Sequence, residues 1–188
     1  MNLIHRWLCR SDYWKKTVET QLLPWALEEI ELGSNVLEIG PGPGITTDLL
    51  RTRVARLTCV EIDRDLANSL GRRLAGKNVR VLCEDATAMP FAGGTFDGVV
   101  SFTMLHHVPS AALQDRILAE AARVLRPGGI FAGIDSLNRR FFGALHLFDT
   151  LVLVDPRTLP SRLEAAGFAD ARVDVGPRSF RFRARKPN

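Results

Sequence analysis

At 188 residues, with 46% apolar and 24% charged side chains, the chain has the length of one domain and the composition of an ordinary globular protein, which excludes disorder as its default state. No apolar run approaches the roughly 20 residues of a spanning helix, and the first ten residues carry His5, Arg6 and Arg10 in place of a signal-peptide core, so a cytoplasmic protein without a membrane span is expected. A net charge of +4 permits an anionic partner, while three scattered cysteines, Cys9, Cys59 and Cys83, exclude a disulfide framework or a Cys-x-x-Cys metal site.

Ile4, Trp7, Trp14, Val18, Leu22 and Trp25 recur at helical steps, which predicts an amphipathic helix over residues 1–23 with an aromatic stripe and a break or new start at Pro24. The run V-L-E-I-G-P-G-P-G at 36–44 then reads as a buried strand turning sharply into a helix over 45–52. Gly40, Gly42 and Gly44 allow backbone bends and direct ligand contact with the main chain. A dinucleotide fingerprint would need its third glycine at Ile45, and Pro41 and Pro43 lack the N–H groups of a pyrophosphate cradle, which disfavours a nicotinamide-dependent oxidoreductase.

The second strand is expected at residues 56–61, with Cys59 as a buried apolar residue. Glu61 lies about 20 residues beyond Gly40, the offset at which a carboxylate meets a ribose in nucleotide-binding α/β folds. Asp63 is placed to cap a helix over 64–74. A third strand over 78–83, including Cys83 as a second buried cysteine, leads into E-D-A-T-A-M-P-F, where Asp85 suits either ligand contact or an Asx turn. A fourth strand over 95–101 leads to F-T-M-L-H-H-V at the sheet's carboxyl edge, where open α/β folds bind ligands. A helix over 109–125 ends at R-P-G-G, and a fifth strand follows at 130–135.

The glycine spacing with Glu38 inside the strand, E-D-A-T-A-M-P-F, F-D-G-V-V-S, R-V-L-R-P-G-G-I-F and L-E-A-A-G-F together resemble the class I S-adenosylmethionine-dependent methyltransferases, the small-molecule type 11 group in particular. The resemblance covers residue 32 to the end. It implies an α/β fold, a three-layer Rossmann-like sandwich around a seven-stranded, mostly parallel sheet with an antiparallel last strand. It assigns S-adenosylmethionine to Glu38, Gly40, Gly42, Gly44, Glu61, Ile62, Asp85, Ala86 and Phe102, with Asp85 at the adenine amino group and S-adenosylhomocysteine as product. It also implies that residues 1–31 form a lid in which Trp7, Tyr13 and Trp14 favour the sulfonium by cation–π contact; the competing reading is a stripe that only packs on the core. The cofactor-binding core would span 32–136, an acceptor-side cap 137–155, and a last helix and hairpin 156–188.

Chemistry beyond the cofactor is less determined. His106 and His107 are candidate bases, or structural and cofactor-facing residues. His146 and Asp149 stand three apart, so on a helix Asp149 could orient His146 as a base. The apolar stretch 137–154 suits a pocket for an aromatic, quinone-like or lipid-derived acceptor, internal packing or a dimer face, in a monomer or homodimer. Neither the N/D-P-P-Y string of nucleobase amino methylation nor a Pro-Cys pair occurs. The last strand alternates Phe180, Phe182 and Ala184 with Arg181, Arg183 and Arg185, which keeps an RNA or acidic-lipid contact through a basic face as the alternative to a solvated one. A fold of this kind that binds cofactor without turnover is the other alternative.

Overall fold

The structure, a computed structural model, describes residues 11–137 and 151–188. An N-terminal helical stretch comprises α1 (Asp12–Thr17), a π-helical turn (Val18–Leu22) and α2 (Leu23–Ala26). There follow β1 (Asn35–Ile39), α3 (Ile45–Leu50), β2 (Arg56–Glu61), α4 (Arg64–Arg73), β3 (Val79–Cys83) and β4 (Phe96–Phe102). A 3-10 turn (Leu105–His107), α5 (Ala111–Val124), β5 (Leu125–Ser136), α6 (Leu159–Ala165), β6 (Ala169–Val175) and β7 (Ser179–Arg185) complete the fold.

The seven strands lie in the order β3-β2-β1-β4-β5-β7-β6. β1 to β5 are parallel, and β7 runs antiparallel between β5 and β6. Strands covered on both faces need apolar residues at successive positions, and β1 obeys this: Val36, Leu37 and Ile39 are all buried. Leu37, Val99, Phe131, Phe180 and Phe182 pack against α5 and α6 on one face. Val36, Leu57, Cys59, Val100 and Ile134 meet the N-terminal helices on the other. The strand order reverses between β1 and β4, which opens a crevice at their carboxyl ends.

Of the two expectations at Pro24, a break or a new helix start, the structure shows the second: Pro24 stands in the first turn of α2 (Leu23–Ala26). Pro24 has no N–H to return to the preceding turn, and the helix passes it through a π turn in which Leu23 N–H donates to Val18 O, five residues back. Trp25 then lies against the guanidinium of Arg181, 5.4 Å from ring centroid to carbon. Arg181 also donates to Trp25 O and Glu28, each at 2.7 Å, and to Asp174 at 2.8 Å. The last strand therefore buries Phe180, Phe182 and Ala184 as its alternation requires, but its opposite side is no uniform basic face. Two carboxylates neutralise Arg181, and its contacts fasten α2 to β7.

Two further expectations are corrected. β5 begins at Leu125 and not at Ile130, because the buried Leu125 pairs with Phe96 as soon as α5 ends, with a register shift before Gly98. Cys83 is exposed, unlike buried Cys59, since β3 is an edge strand and Cys83 its last residue. Among the described residues no helix is long and apolar enough to cross a membrane.

Gly133 marks the tightest inter-strand approach. A Cβ there would lie 2.1 Å from Ser101 O and 2.6 Å from Phe182 Cζ. Gly133→Ala is expected to destabilise the protein by about 1–3 kcal/mol; a urea midpoint equal to wild type would show that β4, β5 and β7 can separate without cost.

Candidate active site

Beyond Ile39 the chain turns three times through the left-handed region, at Gly40 (φ +66°), Gly42 (φ +55°) and Gly44 (φ +88°). A Cβ at Gly40 would lie 2.2 Å from Met104 Cγ, and one at Gly44 2.3 Å from Leu70 Cδ1, so these two glycines let the loop touch the β4 edge and α4. Gly42 differs: a Cβ there would meet nothing within 4 Å. Its backbone borders the cavity directly.

Glu61, the last residue of β2, is 6% exposed. One carboxylate oxygen accepts the Gly42 N–H and the other the Asp63 N–H, each at 2.9 Å. Burial pushes the Glu61 carboxyl above its ordinary range, and the two backbone donors oppose that shift. Each oxygen keeps a further lone pair on a residue that lines the cavity. Asp63 caps α4 as expected, accepting from Asp65 N and Leu66 N at 3.0 and 3.1 Å.

Glu38 is set back from this cavity. Its carboxylate accepts from the hydroxyls of Thr46 and, at 2.6 Å, Thr47, and lies 3.5 Å from Cys59 Sγ. Burial raises its pKa despite these bonds. The residue thus ties β1 to the start of α3, and Gly44 is likewise behind the cavity wall. Gly40, Gly42, Ile62, Asp85, Ala86 and Phe102 line the cavity with Glu61. Ile62 is 71% exposed, an apolar platform at the mouth. Asp85 accepts Thr87 N–H at 2.8 Å through one oxygen, so the Asx turn and a cavity-facing position coexist.

At the β4 edge Thr103 adopts φ +50°, which is strained for a β-branched residue. The turn that follows buries His106, 2% exposed. His106 Nδ1 pairs with Asp135 Oδ1, and Asp135 Oδ2 accepts the His106 N–H at 3.3 Å. Asp135 is itself 1% exposed and accepts Ser136 N–H at 2.6 Å. His107 packs against His106 with the rings tilted by 42° and their centroids 4.2 Å apart. Gln114 fixes the turn from behind by donating to Leu105 O and Val152 O. His106 and His107 both line the cavity; His146 and Asp149 lie outside the described residues.

The cavity measures about 1130 Å³, somewhat larger than the roughly 300–1,000 Å³ usual for small-molecule sites. Its described lining is segregated by chemistry. Glu61, Asp63, Glu84 and Asp85 stand at the ends of β2 and β3, while Trp14, Leu22, Phe102, Met104, Leu113, Ile117, Ile134 and Leu137 make an apolar centre. Arg178, Ser136 and Ser179 stand at the β5–β7 end. Among the described residues no group of His, Cys, Asp and Glu could hold a metal ion.

The family model described as "Methyltransferase domain" matches residues 37–133. The chain belongs to this methyltransferase family. The matched span runs from β1 through the glycine loop, Glu61, Asp85 and His106 into β5. Over 146 residues the chain is 31% identical to the ubiquinone biosynthesis O-methyltransferase of Aromatoleum aromaticum, covering 74% of this chain and 60% of the relative. It is 37% identical over 109 residues to a fatty-acid O-methyltransferase of Mycolicibacterium smegmatis, covering 57% and 39%. A shorter stretch of 60 residues is 45% identical to ribosomal RNA small subunit methyltransferase A of Fusobacterium nucleatum, covering 31% and 23%. The chain thus spans between 23% and 60% of the length of these relatives. A crystal structure of a Pyrococcus horikoshii protein superposes with a TM-score of 0.78 over 95% of this chain and 93% of that one, at 19% identity, a likeness of fold.

Asp135, which pairs with His106, and Arg178, which lines the cavity, are the residues that sequence reasoning did not single out. Asp135 had a signal, a carboxylate closing the apolar strand I-F-A-G-I-D. Arg178 had none, since nothing local separates it from its arginine-rich surroundings.

The buried carboxyls set a pH dependence. A folded-state pKa raised above the ordinary 4.5 at Glu38 and Glu61 means that the native state binds more protons than the unfolded chain between those values. Their contribution to stability therefore falls as pH rises through that window. Glu38→Gln cannot ionise, and the threonine hydroxyls can turn to suit an amide; it is expected to flatten the decline in thermal midpoint above about pH 4.5. An unchanged slope would remove Glu38 as its source.

The Asp135 contact also fixes a tautomer. A carboxylate facing Nδ1 selects the imidazole with its proton there and leaves Nε2 as the basic nitrogen. Long-range nitrogen–proton NMR on neutral His106 is expected to report Nδ1–H; a signal from Nε2–H would contradict the pairing.

Proposed function

We propose that the chain is an S-adenosylmethionine-dependent methyltransferase acting on a small apolar acceptor. The observation that carries this is the Glu61 carboxylate, held by two backbone N–H groups with lone pairs still available, beside the open backbone of Gly42 and at one end of a mostly apolar cavity. The donor set fits the cofactor. Glu61 would accept from both ribose hydroxyls, Asp85 through its second oxygen from the adenine amino group, and Ile62 and Ala86 would cover the adenine ring. Gly40, Gly42 and Phe102 would border the methionine part, with Glu38 and Gly44 acting indirectly by shaping the loop.

S-adenosylmethionine supplies a sulfonium-bound methyl group open to direct in-line displacement by a nucleophile. The chain's own contribution is largely positional: holding the reactants in alignment can lower a barrier by about 7–11 kcal/mol. Tyr13 and Trp14 at the cavity wall support a lid role for the N-terminal helices, where an aromatic face favours a cation. Trp14, Leu22, Leu113, Ile117 and Leu137 support an acceptor that is itself apolar, as do the relatives named for ubiquinone biosynthesis and fatty-acid O-methylation. Where the reacting group is a hydroxyl or phenol, His106 would take its proton at Nε2, with Asp135 stabilising the resulting imidazolium. Neutralisation of Arg181 by Glu28 and Asp174 weighs against an RNA acceptor.

Calorimetric titration with S-adenosylhomocysteine, with NADH as control ligand, tests this reading. One-to-one binding of the first ligand alone is expected. Glu61→Ala loses hydrogen bonds to a charged acceptor worth about 1.5–3 kcal/mol each and should weaken binding at least about tenfold. A folded Glu61→Ala protein with wild-type affinity, or a wild type that binds no S-adenosylhomocysteine, would overturn the assignment.

A further inference from the structure

Among the described residues that line the cavity, Arg178 is the sole lysine or arginine. It lies in the turn joining β6 and β7, whose backbone is held at both ends: Gly176 N–H donates to Ser179 O at 2.8 Å, and Leu137 N–H to Arg178 O at 3.1 Å. Two other arginines of this hairpin are differently engaged, Arg181 with Glu28 and Asp174 and Arg185 with Gly128 O. The Arg178 guanidinium has no carboxylate partner among the described residues. Ser136 and Ser179 are cross-strand neighbours beside it, and both line the cavity.

Placement makes this cation informative. The cavity's four carboxylates, Glu61, Asp63, Glu84 and Asp85, stand at the β2–β3 end, and apolar side chains separate them from Arg178. β7 is the third strand from β1 in the order β1-β4-β5-β7, which at about 4.8 Å per strand places the Arg178 turn roughly 14 Å from the strand that carries the glycine loop. An anionic molecule would be repelled at one end and attracted at the other.

We infer that the methyl acceptor is an apolar molecule bearing an acidic group, and that Arg178, with the Ser136 and Ser179 hydroxyls, holds that group. A guanidinium presents paired donors that match a carboxylate, and the two hydroxyls add neutral donors beside it. The apolar body lies along Leu113, Ile117 and Ile134. This subsite orients the acceptor with its charged end away from the ribose-binding end, which decides which of its atoms faces the cofactor. The inference deepens the methyltransferase reading above. A carboxylate at Arg178 has two possible sources, the acceptor or the methionine part of the cofactor, and the strand spacing favours the acceptor.

The test uses the full chain saturated with S-adenosylhomocysteine and two probes with the same tail, decanoate and decan-1-ol, followed by the fluorescence of the tryptophans, of which Trp14 and Trp25 line the cavity. Decanoate is expected to bind at least tenfold more tightly than the alcohol. Arg178→Ala and Arg178→Glu should abolish that preference, leave the alcohol's affinity unchanged, and leave S-adenosylhomocysteine binding by calorimetry unchanged; Arg178→Lys should retain part of the preference. Equal affinity for acid and alcohol, binding of neither, or a preference that survives both charge-removing variants would overturn the proposal. A tenfold loss of S-adenosylhomocysteine affinity in Arg178→Ala, with the acid preference intact, would assign Arg178 to the cofactor and equally overturn it. Absence of S-adenosylhomocysteine binding to the wild type would instead sink the cofactor assignment, and the probes alone would still report on Arg178.

Discussion

The Glu61 carboxylate joins two segments that would otherwise be independent. Its oxygens take the N–H of Gly42 from the loop after β1 and the N–H of Asp63 from the turn after β2. A buried carboxylate costs free energy unless hydrogen bonds replace its water, and here those bonds are what draws the glycine loop toward the β2 edge. The loop can answer only because Gly42 reaches a left-handed conformation that a side chain would resist. One polar contact thus sets both the position of the loop and the acidic end of the cavity.

A second set of contacts holds the N-terminal helices beside this edge. The N-terminal helices pack on one face of the sheet, contribute Trp14 and Leu22 to the cavity lining, and are fixed to β7 by Arg181, which bonds α2's backbone, Glu28 and Asp174 and lies over Trp25. Exposed ion pairs contribute little singly, but a guanidinium shared among a carbonyl, two carboxylates and an indole defines an orientation. It fixes the N-terminal helices against β7, and the same β-hairpin carries Arg178 to the cavity. Strand order separates the acidic and basic ends of the cavity, since β2 and β3 deliver carboxylates from their carboxyl ends and antiparallel β7 delivers Arg178 and Ser179 at its start; the helices supply much of the apolar centre between them.

Local rules are broken at and behind the cavity wall. Thr103 takes a positive φ, Glu38 and Asp135 are carboxylates buried to about 1% exposure, and His106 is sealed beside Asp135. Each exception has identifiable support. Thr46 and Thr47 satisfy Glu38, two backbone N–H groups and an imidazole satisfy Asp135, and Thr103 N–H donates to Ile134 O at 2.8 Å. Strained or buried polar groups of this kind persist only where their surroundings over-determine them.

The sequence by itself determined the alternation of strands and helices, the bounds of β2 and β7, the Asp63 cap and the glycine loop, because apolar periodicity, capping residues and glycine act within a few residues of themselves. The family followed from the same short segments read in order. Tertiary structure decided what depends on pairing at a distance. Glu38 and Glu61 are both glutamates in strands, yet Thr46 and Thr47 turn one into a structural tie while Gly42 and Asp63 leave the other facing the cavity. Asp135 acquires a partner only when β5 lies beside β4 and brings it under His106, 29 residues away. Cys83 is exposed because its strand ends the sheet, which no local pattern encodes. Among the arginines of the last hairpin, Arg181 pairs with Glu28 and Asp174 while Arg178 has no carboxylate partner among the described residues, and that difference rests on which residues the fold places within reach of each.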